Sequence, residues 1–275
     1  MYNSLKRFFI LVLAAMLLVS APGTSPVAAA AVTESGSFFD KSELTNGIIT
    51  VNYPAEDSDA YVVRTIKDDT IYVYDYTNGI RVPLQDGKGT YKIQLLAPVG
   101  GQNYTLKAEE SVEYLNEDSK ALYLQSNAIV NWDSAAKTVQ KAEELTADST
   151  TDTEKVLAVY SYIIKNIKYD YKKAAKVQSF YISSADSTLD KKTGICYDYS
   201  VLFASMLRSL GIPTKVIMGT SKDITGYHAW NQVYIKETGK WITIDTTADA
   251  GQTIKKSTVS GIAKKDSRYS IEKQY

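Results

Sequence analysis

The 275-residue chain contains one cysteine and one histidine, so any thiol–imidazole chemistry within it falls to Cys196 and His228. A thiol assisted by an imidazole attacks carbonyl carbon and carries the acyl group as a thioester. A carboxylate that holds the imidazole in one tautomer completes such a set, and Asp245 is the candidate here. Three side chains far apart in sequence can act together only if the elements carrying them converge.

The first of these elements is a helix. Gly194-Ile195-Cys196 leads into a stretch where Tyr199, Leu202 or Phe203, Met206 or Leu207, and Leu210 recur at helical steps. Gly211 and Pro213 then stop it. Cys196 is thereby expected at the N-terminal end of a buried helix. Free N–H groups and the positive end of the helix dipole stabilise an anion there. The Cys196 N–H is also placed to donate to a developing oxyanion. The competing reading is that Cys196 is simply a small buried hydrophobe.

The other two side chains call for a hairpin. Residues 214–220 read as a strand, 221–226 as a polar loop, and His228 to Ile235 as a second strand. Lys236-Glu237-Thr238-Gly239 turns the chain, and Lys240 to Asp245 returns as a third strand. If Ile235 faces Lys240, Trp230 faces Asp245 and His228 lies one diagonal step away on the same face. Diagonal neighbours stand about 7–8 Å apart, within reach of a carboxylate–imidazole hydrogen bond. A loop of odd length would separate them onto opposite faces, so the arrangement depends on register.

Other polar clusters carry weaker patterns. Ser134-Ala135-Ala136-Lys137 with Lys192-Thr193-Gly194 superficially matches a serine acyltransferase pattern. The gap is too short for that fold, and Lys-Thr-Gly precedes a helix instead of forming a strand. Asp133, Asp186 and Asp190 have no spacing that singles out a glycosidase pair, so they read as solvated surface.

Around the three residues the sequence resembles the transglutaminase-like superfamily, which shares the papain-related fold. The matching residues are Gly194-Ile195-Cys196 with Tyr199-Ser200, Leu210-Gly211-Ile212-Pro213, Gly219, His228-Ala229-Trp230-Asn231, and Trp241 followed by Asp245. The resemblance covers roughly residues 151–249. It implies Cys196 as nucleophile, His228 as general base and acid, and Asp245 as orienting carboxylate. It also implies an α+β fold in which the cysteine helix packs on an antiparallel sheet bearing His228 and Asp245. Tyr169-Asp170-Tyr171 after an amphipathic helix looks like the usual entry to such a domain. The family's second oxyanion donor is a variable side chain upstream of the cysteine, with Tyr181 or Gln178 as candidates. The implied reaction is acyl transfer from a protein or peptide carboxamide, ending in hydrolysis or cross-linking. Cell-wall and surface proteins are among the candidate substrates. No cofactor or metal is expected: there is no EF-hand-like oxygen run for calcium, and one cysteine cannot supply a zinc set. A rival of another class is an extracellular binding module that keeps the fold for docking.

Lys6 and Arg7, the apolar run Phe8–Val19 and the small-residue stretch Val27–Ala31 form, in order, a basic region, an apolar region and a cleavage site. Residues 1–31 therefore read as an export signal, too short in its apolar part to span a membrane. The expected product is secreted or associated with the cell surface, with no transmembrane anchor after cleavage. The 31 basic and 31 acidic residues balance, and loss of Lys6 and Arg7 leaves the mature chain slightly acidic, which argues against nucleic acid as a partner. A lone cysteine excludes an internal disulfide framework.

Composition divides the remainder. Residues 35–126 are dense in Val, Ile, Thr and Tyr and broken by Asn78-Gly79, Asp86-Gly87 and Gly100-Gly101, as in a small antiparallel β-domain, sandwich or barrel. Its many tyrosines are strand formers that could also present a binding face. Residues 127–150 read as a helical linker, with Ser134 capping a helix to about Leu145. A helix opening on a Thr151/Glu154 capping box begins the 151–250 domain. Residues 251–275 are a tail or a last strand.

Overall fold

The computed structural model describes residues 38–54, 60–101, 103–118, 120–177, 181–252 and 258–275. The export signal lies outside the described residues, as does Gln178. Among the described residues, no helix is long and apolar enough to cross a membrane.

The N-terminal part consists of β1 (Phe39–Asp40), β2 (Ile48–Val51), β3 (Val62–Lys67), β4 (Thr70–Asp75), β5 (Ile80–Pro83), β6 (Gly89–Gly100) and β7 (Asn103–Tyr114). They form two antiparallel sheets, ordered β1-β2-β5 and β4-β3-β6-β7. Tyr72 and Tyr74 on β4 are buried, whereas Ile71 and Val73, which alternate with them, are exposed. This is the period-two alternation of a half-covered strand. Ile49, Val51 and Val82 from one sheet and Val63, Tyr72 and Ile93 from the other share a single apolar cluster, so the sheets form a sandwich.

The remaining elements are α1 (Ala136–Leu145), α2 (Asp152–Asn166), β8 (Lys168–Tyr169), α3 (Tyr171–Ala174), α4 (Ala185–Lys191), β9 (Thr193–Gly194), α5 (Cys196–Ser209), β10 (Thr214–Ser221), β11 (Ile224–Ile235), β12 (Lys240–Ile244), α6 (Val259–Ile262) and β13 (Tyr269–Gln274). The capping box of α2 is formed: the Glu154 N–H donates to Thr151 Oγ1 at 3.2 Å, and the Thr151 N–H donates to Glu154 Oε2 at 3.1 Å. Ser134 does not cap α1. The helix opens on Ala135 without a side-chain cap, and Asp186 from α4 accepts the Thr138 N–H at 2.8 Å. A carboxylate from another helix thus satisfies the N–H groups that a local serine was expected to take.

Helix α5 is buried on every side from Tyr197 to Arg208, with the charged Asp198 and Arg208 among its buried residues. Val201 and Ala204 join the apolar cluster of the sandwich. Leu202, Phe203, Met206 and Leu207 face α2, α4 and the inner face of β11 and β12. The β-rich segment and the cysteine helix therefore share core. Gly211, at φ 79°, supplies the left-handed residue that closes α5, with the Ile212 N–H donating back to the Leu207 carbonyl at 2.9 Å.

Against α5 lies an antiparallel sheet ordered β12-β11-β10-β13. Ile235 pairs with Lys240 and Asn231 with Ile244, which is the register that carries His228 and Asp245 on one face. The loop expected at 221–226 is shorter, because β10 runs to Ser221 and β11 resumes at Ile224. The tail supplies a last strand, β13, paired with β10 through a bulge between Met218 and Gly219. That bulge brings backbone so close that a Cβ at Gly219 would lie 2.0 Å from the Ser270 carbonyl oxygen. Gly219→Ala is accordingly expected to cost about 1–3 kcal/mol through overpacking, read as a lower melting temperature; an unchanged melt would show that β13 yields freely.

Candidate active site

Cys196 stands at the first turn of α5 and is partly exposed. A short parallel pair, Lys168 with Thr193 and Tyr169 with Gly194, fixes the chain entering that turn. Asp198, in the same turn and fully buried, braces it. Its Oδ2 accepts the Ile195 N–H at 2.8 Å and Lys173 Nζ at 2.6 Å, and its Oδ1 accepts the hydroxyls of Tyr181 at 2.6 Å and Ser183 at 2.8 Å. A carboxylate is favoured at a helix N-terminus, and the Lys173 ammonium compensates its burial. Nothing larger than glycine fits beside it, since a Cβ at Gly194 would lie 2.6 Å from Asp198 Cβ.

The sheet sets His228 and Asp245 behind the thiol. His228 is 2% exposed and Asp245 0%, and His228 Nε2 lies 2.8 Å from Asp245 Oδ2. Cys196 is the other group close enough to the imidazole to raise its pKa. With Nε2 taken by the carboxylate, Nδ1 is the nitrogen available to the sulfur. Burial alone would lower the pKa of His228, but the hydrogen bond to Asp245 and the nearness of Cys196 outweigh it and raise it to about 9. The Ala248 N–H donates to Asp245 Oδ1 at 2.9 Å, fixing the carboxylate from its far side. Asn231 ties the two halves together: its Nδ2 donates to the Ser200 carbonyl in α5 and the Lys215 carbonyl in β10, each at 3.0 Å.

The structure thus brings Cys196, His228 and Asp245 together. Of the two upstream candidates for an oxyanion donor, Tyr181 is committed to Asp198 and accepts from Lys173 Nζ at 2.6 Å. Tyr169 lies nearer the cysteine, whose charge acts on its phenol. Burial, followed by the proximity of Cys196, pushes the Tyr169 phenol up to about 12. The one sequence signal for it was the Tyr169-Asp170-Tyr171 run. Asp186 and Asp190 serve α1, through the Thr138 N–H and Lys137 Nζ. Asp133 accepts from Ser126 and Arg81. Among the described residues, no group of three or more His, Cys, Asp or Glu side chains is gathered as a metal site would require.

A helix-borne thiol facing a sheet-borne imidazole and carboxylate defines an α+β cysteine domain of the papain and transglutaminase type. Residues 139–246 match the family model of the transglutaminase-like superfamily, which covers cysteine-dependent acyl transfer and protease activity. The match begins within α1, ahead of the Thr151 start that the resemblance suggested, and takes in all three residues. Among curated proteins, the chain is similar to the kyphoscoliosis peptidase of Homo sapiens, with 31% identity over 119 residues, which is 39% of this chain and 17% of that protein. The match to the Mus musculus kyphoscoliosis peptidase likewise spans 17% of the relative's length. Among solved structures, a TGase shares 24% identity at a TM-score of 0.35, covering 52% of this chain and 37% of the other. A cysteine protease candidate from Cytophaga hutchinsonii shares 17% identity at a TM-score of 0.41, covering 83% and 82%.

Proposed function

We propose that the protein is an exported thiol-dependent acyltransferase or amidase acting on carboxamides of proteins or peptides, with Cys196, His228 and Asp245 as its catalytic residues. The observation that carries this reading is the buried pair of His228 Nε2 and Asp245 Oδ2 at 2.8 Å, beside Cys196 at the head of α5, which is close enough to raise the pKa of His228. Cys196 Sγ bonds to the carboxamide carbon while its proton passes to His228. The Cys196 N–H at the head of α5 receives the oxyanion. His228 then protonates the departing nitrogen, the C–N bond breaks, and a thioester remains. Water or a primary amine, deprotonated by His228, attacks the thioester and releases the thiol.

The reading is tested by incubating the protein with a glutamine-containing peptide, with and without a primary amine, while following amine incorporation and free-acid release. Conversion is expected with the wild type and not with Cys196→Ala. Incorporation identifies a cross-linker, and acid release alone identifies a hydrolase. If the thiol proved equally reactive in wild type and His228→Ala and no peptide were converted, the chain would be a docking module that retains the fold.

A further inference from the structure

Strand β13 delivers a side chain to the back of Asp245. The half-buried Tyr269 donates its hydroxyl to Asp245 Oδ2 at 3.0 Å, the same oxygen that lies 2.8 Å from His228 Nε2. We infer that Tyr269 is a positioning residue for the Cys196–His228 pair: it holds Asp245 in the rotamer that faces the imidazole and shares the charge of that oxygen. The inference rests on the catalytic reading above.

Three features of the structure support it. Asp245 is wholly buried, so its lone pairs depend on protein donors, and Tyr269 is a donor delivered from the distant strand β13. Trp230 links the two rings, with its ring centroid 6.0 Å from that of His228 and 4.8 Å from that of Tyr269, so hydroxyl and imidazole converge on one oxygen around an indole wedge. The bulge that requires glycine at 219 occurs in β10 opposite His228, in the pairing that docks β13, and its close approach sets where Tyr269 begins.

Burial, then the charge of Asp245, keeps the Tyr269 phenol protonated well above its usual range, so it remains a donor wherever the pair could work. The titratable and charged groups around the site are Cys196 on α5 and Asp245 facing His228, Tyr160 on α2 facing Asp245, and Asp223 with its ion-pair partner Arg268 facing Tyr269. Asp249 accepts Tyr160 and is paired with Lys264. None of these replaces the hydroxyl of Tyr269.

Removing that hydroxyl leaves Oδ2 with the imidazole alone. The imidazolium is then stabilised more strongly, while the ring is held less firmly. Because His228 is the sole histidine, protein purified without a histidine tag and labelled with ¹⁵N-histidine gives one imidazole titration. Tyr269→Phe keeps the ring against Trp230 and is expected to raise the midpoint by about one pH unit. It should also slow iodoacetamide alkylation of Cys196 about tenfold. In an Asp245→Asn background the same substitution should change neither quantity further. A lowered melting temperature with unmoved midpoint and rate would overturn the inference and leave Tyr269 a packing residue. The catalytic reading fails separately: a wild-type midpoint that ignores Cys196→Ala would mean that no thiol–imidazole pair exists, and the inference would fall with it.

Discussion

Alkylation of Cys196 at pH 6 is expected to fall about a hundredfold or more when His228 is replaced by alanine. An unassisted thiol has a pKa of about 8.5, so only about 0.3% of it is thiolate at that pH. Proton transfer to His228 removes this limit, because burial, which would lower the pKa of the imidazole, is outweighed by its hydrogen bond to Asp245 and the nearness of Cys196. A reference histidine titrates near 6.5 and His228 near 9. The folded-state value is the higher, so the stability contributed by the imidazolium is complete below about pH 6.5 and is lost as pH rises through about 9. The melting temperature of the wild type should accordingly decline over that window, and that of His228→Ala should not show the same decline. Acyl transfer should lose its general acid over the same alkaline limb. Equal alkylation rates for the two proteins at pH 6 would remove the thiol–imidazole pair.

The second large effect lies at the other end of α5. Arg208 is 2% exposed and has no Asp or Glu partner among the described residues. Its Nε donates to the Thr214 carbonyl at 2.8 Å, its Nη1 to the Gln125 carbonyl at 2.8 Å and its Nη2 to the Tyr275 carbonyl at 2.9 Å. Burial pulls its pKa down to about 9, with the nearby Tyr123 acting in the opposite direction. One planar fork thus joins the end of the β-rich segment, the start of β10 and the C-terminus. Arg208→Ala removes a donor from each of three carbonyls, of which that of Tyr275 keeps the Val216 N–H at 2.9 Å, and opens a cavity, a loss of about 3–5 kcal/mol. In a chain of this size that corresponds to a melting temperature lower by about 10 °C. Arg208→Lys should recover little, since one ammonium cannot span three carbonyls in different directions. Alkylation of the folded fraction should keep its pH dependence, because Arg208 lies far along α5 from Cys196. A melt within about 2 °C of wild type would show that the guanidinium is dispensable.

Much of the site's frame was legible because it depends on local periodicity. Apolar spacing from Tyr199 to Leu210, followed by Gly211 and Pro213, places Cys196 at a helix start. The Lys236–Gly239 loop has an even length, and loop parity decides whether His228 and Asp245 share a face. Thr151 and Glu154 announce α2 because both partners of a capping box lie within one turn.

What sequence could not convey depends on partners from distant segments. Ser134 has the chemistry of a cap, yet Asp186 from α4 takes the helix N–H groups, because packing of α1 on α4 delivers a carboxylate there. Asp198 and Tyr269 are not set apart by sequence in a tyrosine-rich, charge-balanced chain, and Tyr169 is marked only by the Tyr169-Asp170-Tyr171 run. The sequence by itself determined which thiol, imidazole and carboxylate could meet, since it offers one of each of the first two and a register for the third. Only the tertiary structure decided what braces them: a bulge at Gly219 and a strand from the tail set Tyr269 against Asp245, and long-range contacts of that kind leave no periodic trace in the chain.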